Sequence, residues 1–228
     1  MMTKPLIVAV IPAYNESTRI VDVIHAAKEY VDQVIVVDDG STDESFNLVK
    51  KRFPSIKIIK ININSGKSNA IIQGLKEVKT KFVMLIDADL QKINYKDYEL
   101  GLKKINEKKK IDMIIFKRNI AQRLYIRMNR GDVLISGERL IKTNLLKKAL
   151  LKNPKNYELE LKMNKYFFEN KKKCFWMNSV AKNTIKSMKV GFIKGMYQDL
   201  KMYFSIVRSI GIVGYMFQVF LFCREELD

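Results

Sequence analysis

The residues best placed to do chemistry are Asp87, Asp89 and Gln91, at alternate positions in Asp87-Ala-Asp-Leu-Gln91 directly after the apolar run Phe82-Val-Met-Leu-Ile86. An extended backbone turns residues 87, 89 and 91 to one side and 88 and 90 to the other. Two carboxylates and an amide can then converge on one hard divalent cation, and Mg2+ or Mn2+ suits such oxygen ligands. The plainer alternative is that the acids cap a helix beginning near Asn94. A second pair of candidates, Glu158 and Glu160, lies in Asn156-Tyr-Glu-Leu-Glu-Leu-Lys-Met163. They stand at i, i+2 on an expected helix and face different ways, so at most one can serve a common site.

Elements that could position these groups are visible in the apolar pattern. Short runs rich in Val and Ile, at 6–11, 33–37, 56–61, 82–86 and 111–116, are nearly continuous in apolar character. Strands covered on both faces read this way. Between them Ile20, Ile24, Ala27 and Val31, then Phe46, Val49 and Phe53, then Ala70, Ile71, Leu75 and Val78, then Tyr98, Leu102 and Ile105 recur at helical spacing. Alternation of β and α elements predicts an α/β layer around a mostly parallel sheet with flanking helices. Ligands of such sheets bind beyond the carboxyl ends of the strands, and here those ends carry polar motifs.

The first such end, Pro12-Ala-Tyr-Asn-Glu16, lacks the Gly-x-Gly-x-x-Gly of a dinucleotide-binding oxidoreductase. The second, Asp38-Asp-Gly-Ser-Thr-Asp43, can form a capped turn in which Gly40 takes a positive φ. The third, Asn64-Ser-Gly-Lys-Ser68, has Ile61 where a phosphate-binding P-loop requires glycine. Gly66 and Lys67 at a helix start can still meet a phosphate through free N–H groups and the ammonium charge, or simply open the helix.

These loops, Pro-Ala-Tyr-Asn-Glu, Asp-Asp-Gly-Ser, Asn-x-Gly-Lys-x-x-Ala and Asp-Ala-Asp-Leu-Gln, are weak singly. As an ordered set they resemble the family 2 glycosyltransferases of the GT-A, Rossmann-like fold, over residues 5–190. The Asp-x-Asp-x-Gln form looks most like that of dolichyl- or polyprenyl-phosphate glycosyltransferases. The resemblance implies an inverting, metal-dependent enzyme using a UDP- or GDP-sugar donor. It places Pro12, Ala13, Tyr14 and Glu16 around base and ribose, Asp39 on the base, and Gly66 and Lys67 near the base or ribose edge. Asp87, Ala88 and Asp89 would lie along the diphosphate, with Asp87, Asp89 and Gln91 as the metal ligands and Asp89 catalytic. Ser136-Gly-Glu-Arg-Leu-Ile-Lys142 is similar to the family's Ser-Gly-Phe-Arg acceptor motif, so Gly137 and Arg139 carry over, with Glu138 where an aromatic is common. Glu160 resembles the glutamate opening an acceptor-side helix. The proline that often follows Asp-x-Asp-x-Gln is missing from Lys92-Ile-Asn-Tyr95.

From Lys117 to Arg130 the chain turns basic, with Arg123 and Arg127 one helical turn apart and Arg118 and Arg130 at the edges. Guanidinium groups suit the phosphate oxygens of an acceptor, although a solvated surface would use them equally. In the whole chain 42 Lys and Arg against 24 Asp and Glu leave a net charge of +18, favouring nucleic acid, an anionic membrane surface or phosphorylated substrates. No RNA-binding aromatic motif or zinc finger supports nucleic acid as partner. A nucleotidyltransferase would want a glycine-rich loop after the first strand. The two distant cysteines, with the single His25, form no zinc or disulfide pattern, and a reducing compartment is the default expectation.

The apolar run 6–11 is too short for a signal peptide or a membrane span. The expected organisation is a catalytic domain at 1–180, with a donor half 1–118 and an acceptor half 119–180, followed by a separable basic amphipathic helical tail at 181–228. In that tail Lys194, Lys201 and Arg208 form a narrow polar stripe, and the apolar run Ile212 to Cys223 is short of the ~20 residues that cross a bilayer. An in-plane helix at the cytoplasmic membrane face, serving a lipid acceptor, is one reading. A helix packed on the protein's own core is the other, and a soluble phosphorylated acceptor keeps the same fold. Sequence leaves the oligomeric state open.

Overall fold

The computed structural model describes residues 6–91, 93, 95–107, 110–117, 130–151, 158–180, 182–183, 208 and 210–227. The expected strands are present with ends moved by one or two residues. They are β1 (Ile7–Ala13), β2 (Gln33–Asp39), β3 (Lys57–Ile61), β4 (Phe82–Leu85) and, after the two-residue β5 (Leu90–Gln91), β6 (Met113–Lys117). Helices α1 (Ile20–Lys28), α2 (Ser45–Arg52), α3 (Lys67–Glu77) and α4 (Tyr95–Glu107) fall where the apolar spacing put them. The second half adds α5 (Gly131–Leu134), β7 (Arg139–Lys142), α6 (Thr143–Ala149), α7 (Glu158–Glu169), β8 (Cys174–Asn178), β9 (Lys182–Asn183) and β10 (Glu225–Glu226).

Eight strands form one sheet in the order β10-β8-β6-β7-β4-β1-β2-β3, and β5 pairs with β9 in a separate ribbon. Every neighbouring pair of the large sheet is parallel except the two that involve β7. The parallel strands β1, β2, β4 and β6 therefore bring their carboxyl ends to one edge. Because β7 runs the other way, its beginning lies there too: Arg139 stands opposite Leu85 of β4 and Ile115 of β6.

Both faces of the sheet are covered, which explains the unbroken apolar strands. Ile7, Ala9, Ile11, Val34, Val36 and Met84 pack under α1 and α4 on one face. Val8, Val10, Ile35, Val37, Val83 and Leu85 meet α3 and α7 on the other. The outer strand β3 exposes Lys57 and Lys60, charges that discourage pairing with another chain at that edge.

The C-terminal end departs from the expected separable tail. Residues 210–221 are helical, and Gln218, Val219, Phe222 and Cys223 are buried in the same apolar layer as α3 and α7. Beyond them β10 extends the sheet beside β8, and Leu227 N–H donates to Trp176 O at 2.9 Å. A run apolar around its whole circumference can give one side to the core, and residues 210–227 pack into the same core and sheet as the preceding elements. The expected stripe residues Lys194 and Lys201 lie outside the described residues, and Arg208 is exposed. Among the described residues no helix is long and apolar enough to cross a membrane.

Candidate active site

The loops after β1 and β2 are stitched together by side chains. Asn15, at φ 54°, accepts from Thr42 N–H at 2.9 Å through its Oδ1, while its own N–H donates to Ser41 Oγ at 3.0 Å. Glu16 N–H donates to Ser45 Oγ at 2.8 Å, and Asp43 accepts from Ser17 and Ser45. Asparagine tolerates the left-handed region better than most side chains, and that was the signal for Asn15, which motif reading left unassigned. The result is a rigid rim on which Tyr14 stands 45% exposed, with Pro12 half-buried, Ala13 buried and Glu16 paired to Arg19 at 3.2 Å. Gly40 has φ 75°, and a Cβ there would lie 2.7 Å from Asn64 N, so glycine lets the next loop close against this rim.

Asp39 holds that next loop. Its carboxylate is 3% exposed and accepts from Ser65 N–H at 3.0 Å, Ser65 Oγ at 2.8 Å and Gly66 N–H at 2.7 Å. In this structure Asp39 thereby fixes the loop at the start of α3. Asp38 beside it is 1% exposed, and its oxygens have no hydrogen-bond partner among the described residues.

Fixing Gly66 fixes the first turn of α3, and Lys67 reaches across the sheet edge. Its Nζ lies 2.6 Å from Asp87 Oδ1 and 2.9 Å from Glu160 Oε1. The Asp87 and Glu160 side chains are 12% and 9% exposed, so one ammonium bridges two largely buried carboxylates. Gly137 closes the other side: a Cβ there would sit 2.5 Å from Asp87 Oδ1 and 2.6 Å from Lys67 Nζ. Residues from the first and second halves of the chain thus meet at one point, with Glu160 supplied by the first turn of α7.

The backbone geometry assumed for Asp87, Asp89 and Gln91 is corrected. The strand ends at Leu85, residues 88 and 89 form a turn, and Leu90–Gln91 start a new ribbon with β9. Strand alternation therefore does not align the three side chains. Asp87 is turned to Lys67, Ala88 is buried, and Gln91 lines a cavity of about 440 Å³ with Thr18, Arg19 and Asp22 of the α1 region. No group of three or more His, Cys, Asp or Glu that could hold a metal occurs among the described residues. The donor set still fits magnesium or manganese, since such ions commonly take one or two carboxylates and complete their shell with substrate phosphates and water.

The match to known proteins is now decisive. The family model described as glycosyl transferase family 2 matches residues 8–175. The chain belongs to that family. Among curated relatives it is similar to a dolichyl-phosphate beta-glucosyltransferase of Saccharomyces cerevisiae, 36% identical over 95 residues, covering 35% of this chain and 28% of that protein. It is also similar to a poly-beta-1,6-N-acetyl-D-glucosamine synthase of Staphylococcus epidermidis, 32% identical over 81 residues, covering 33% of this chain and 20% of that protein. The chain thus spans less than a third of the length of either relative. Among solved structures, glucosyl-3-phosphoglycerate synthase from Mycobacterium tuberculosis, in complex with Mn2+, UDP and phosphoglyceric acid, superposes with a TM-score of 0.65 at 20% identity. That match covers 79% of this chain and 71% of the other, and establishes the GT-A fold.

Several acceptor-side expectations for this family 2 glycosyltransferase are changed by burial. Arg139 is fully buried and cannot meet an acceptor. Its Nε donates to Ser136 O at 2.7 Å, Nη1 to Asn164 Oδ1 at 2.6 Å and Nη2 to Leu134 O at 2.9 Å. It braces the segment that carries Gly137 against α7. Arg130 is likewise committed, donating to Phe222 O at 2.7 Å and Cys223 O at 2.6 Å, where it clamps the end of the C-terminal helix. Glu138 is fully buried, and its charge acts on Tyr98 of α4. There burial first, and the Glu138 charge second, push the Tyr98 phenol well above its ordinary pKa. Arg118, Arg123 and Arg127 lie outside the described residues. Asn164, one turn beyond Glu160 on the same helix face, was not singled out from sequence although its i, i+4 spacing offered the signal.

Proposed function

We propose that this family 2 glycosyltransferase transfers a sugar, with inversion, from a UDP- or GDP-sugar to a lipid acceptor, a polyprenyl phosphate or a lipid hydroxyl, at the cytoplasmic face of a membrane. The observation that carries this reading is the Lys67 bridge, which joins Asp87 of the donor motif to Glu160 of the acceptor half across Gly137. A donor held at Asp87 through a cation and an acceptor seated beside Glu160 would meet where Lys67 can offset the charge of a diphosphate. Tyr14, exposed on the stitched rim, is available to stack on a base. The resemblance to a dolichyl-phosphate transferase supports a lipid phosphate, and the two unpaired thiols accord with a reducing compartment.

Asp87 and Asp89 would hold a divalent cation together with the donor's diphosphate, and the cation supplies Lewis-acid stabilisation of the leaving group. The chain's own residues do the rest. Lys67 orients Asp87 and Glu160, the β1 and β2 loops hold the nucleoside end, and Arg139 with Asn164 keeps Gly137 and α7 in place. An acceptor hydroxyl would give its proton to Glu160 Oε as its oxygen bonds to the anomeric carbon and the nucleoside diphosphate departs from the opposite face. An acceptor phosphate is already anionic and needs no base.

The solved relative crystallised with phosphoglyceric acid favours a second reading, transfer to a soluble phosphorylated acceptor. One set of assays separates them. Thermal shift with UDP- and GDP-sugars in the presence of Mn2+ identifies the donor, because ligand binding to the native state raises apparent stability. Transfer to polyprenyl phosphate in detergent is then compared with transfer to phosphoglyceric acid, with wild type and Glu160→Gln. A loss of ~10²-fold or more in Glu160→Gln assigns a hydroxyl acceptor, and a nearly unchanged rate assigns a phosphate oxygen. Transfer undiminished in EDTA would refute the metal assignment, and transfer only to the soluble acceptor would refute the lipid reading.

A further inference from the structure

The C-terminal helix carries two apolar faces, and the described protein covers one of them. From Ser209 to Cys223 the chain has no charged residue. Gln218, Val219, Phe222 and Cys223 face the core, whereas Ile212 and Val213 are each 69% exposed, Phe220 59%, Leu221 52%, Phe217 49% and Met216 45%. At 3.6 residues per turn these exposed side chains occupy one half of the helix circumference. Phe168 of α7, also exposed, stands with its ring 6.2 Å from that of Phe217 and widens the patch onto the neighbouring helix. A contiguous apolar surface of this kind marks an interaction site.

We propose that this face is a membrane-docking surface, on which the protein lies against an anionic bilayer with the side chains from Ile212 to Leu221 in the acyl boundary. Charge identifies the occupant. Exposed Arg208 precedes the helix and exposed Arg224 follows it, on a chain whose net charge is +18. The acids beyond, Glu225 and Glu226, lie in β10, which pairs with β8 at the sheet edge. Apolar insertion flanked by cations is the two-signal arrangement that holds a protein on anionic lipid. A second copy of a chain with net charge +18 would bring like charges together at the same face. Helical residues 210–221 extend about 18 Å, well short of the ~30 Å hydrocarbon core, so they lie in the plane rather than across it.

The proposal rests on the lipid-acceptor reading and deepens it, because the helix is bolted to the one that carries Glu160. Gln218 Nε2 donates to Leu161 O at 2.9 Å, and Asn164 Nδ2 donates to Gln218 Oε1 at 3.1 Å. Asn164 is one turn, about 6 Å, along α7 from Glu160. Docking would therefore set the distance of the site from the headgroups rigidly, where a flexible tether would not.

The test uses the full chain and acceptor-free vesicles, one set of phosphatidylcholine alone and one of phosphatidylcholine mixed with phosphatidylglycerol. Wild type should float with the anionic vesicles and bind the neutral ones more weakly. The doubly substituted Phe217→Ser/Phe220→Ser, and separately Ile212→Ser/Met216→Ser, should lower the partition coefficient roughly tenfold or more. The melting temperature and the rate of transfer to a lipid phosphate in detergent should stay unchanged. Undiminished binding by both variants, equal binding to both vesicle types, or a solution dimer that the substitutions dissociate would overturn it. Wild type that glycosylates lipid phosphate in detergent but ignores vesicles refutes the docking surface and leaves the acceptor reading standing. Vesicle binding without use of any lipid acceptor does the reverse.

Discussion

Substituting Gly137→Ala should separate the site's assembly from the protein's folding. The added Cβ would lie 2.5 Å from Asp87 Oδ1 and 2.6 Å from Lys67 Nζ, where ordinary contact begins at 3.4 Å. Lys67 must therefore retreat by about 0.8 Å and Asp87 by about 1 Å, and they have little slack, because Lys67 is held at 2.6 Å by Asp87 and 2.9 Å by Glu160. Overpacking on this scale costs about 1–3 kcal/mol, or roughly 3–10 °C in melting temperature for a domain of this size. The effect on rate should be larger, since displacing a reacting group by about 1 Å costs on the order of 10²-fold. The assay follows transfer of labelled sugar from the donor identified above, with circular dichroism reporting the melt. Gly214→Ala is the control: its Cβ would meet only Ile210 side-chain atoms at 3.6 and 4.0 Å, so activity should persist. Wild-type activity and an unchanged melt in Gly137→Ala would refute the claim that this glycine sets the position of the Lys67 bridge.

Two further expectations concern the C-terminal helix. Arg130→Met removes the guanidinium from the carbonyls of Phe222 and Cys223 and should cost about 2–3 kcal/mol, seen as a lower urea midpoint and faster amide exchange over residues 210–221. An unchanged midpoint would mean that the clamp adds nothing. Burial pushes the Cys223 thiol up to about 12 against an ordinary 9.0, with Arg130 and Arg139 pulling it partly back. The thiol's contribution to stability is therefore complete below about pH 9 and lost as pH rises towards 12, as the unfolded chain ionises first. At pH 8 Cys223 should resist a thiol reagent until the protein is unfolded, and rapid labelling of the native protein would contradict its burial.

The sequence by itself determined the strands, the parallel layer and the family. Continuous Val and Ile runs have few alternatives to a doubly covered strand, and the polar loops follow those strands at the edge where β/α sheets bind ligands. Local chemistry of this kind is written within a few residues of itself. The tertiary structure alone decided which side chains meet. Lys67 and Glu160 are 93 residues apart in the chain, and the reversed direction of β7 brings Gly137 against Lys67 and Asp87. Arg139 has the composition of a phosphate ligand and becomes a buried brace because its strand lies in the middle of the sheet. Asp39 has the type and place of a base-binding carboxylate, and the fold shows in addition that it anchors loop 65–66. The run from Ile212 to Cys223, apolar on every side, could not reveal in sequence which half would be buried. That choice was made by Asn164, Arg130 and β8, partners whose positions depend on the fold being complete.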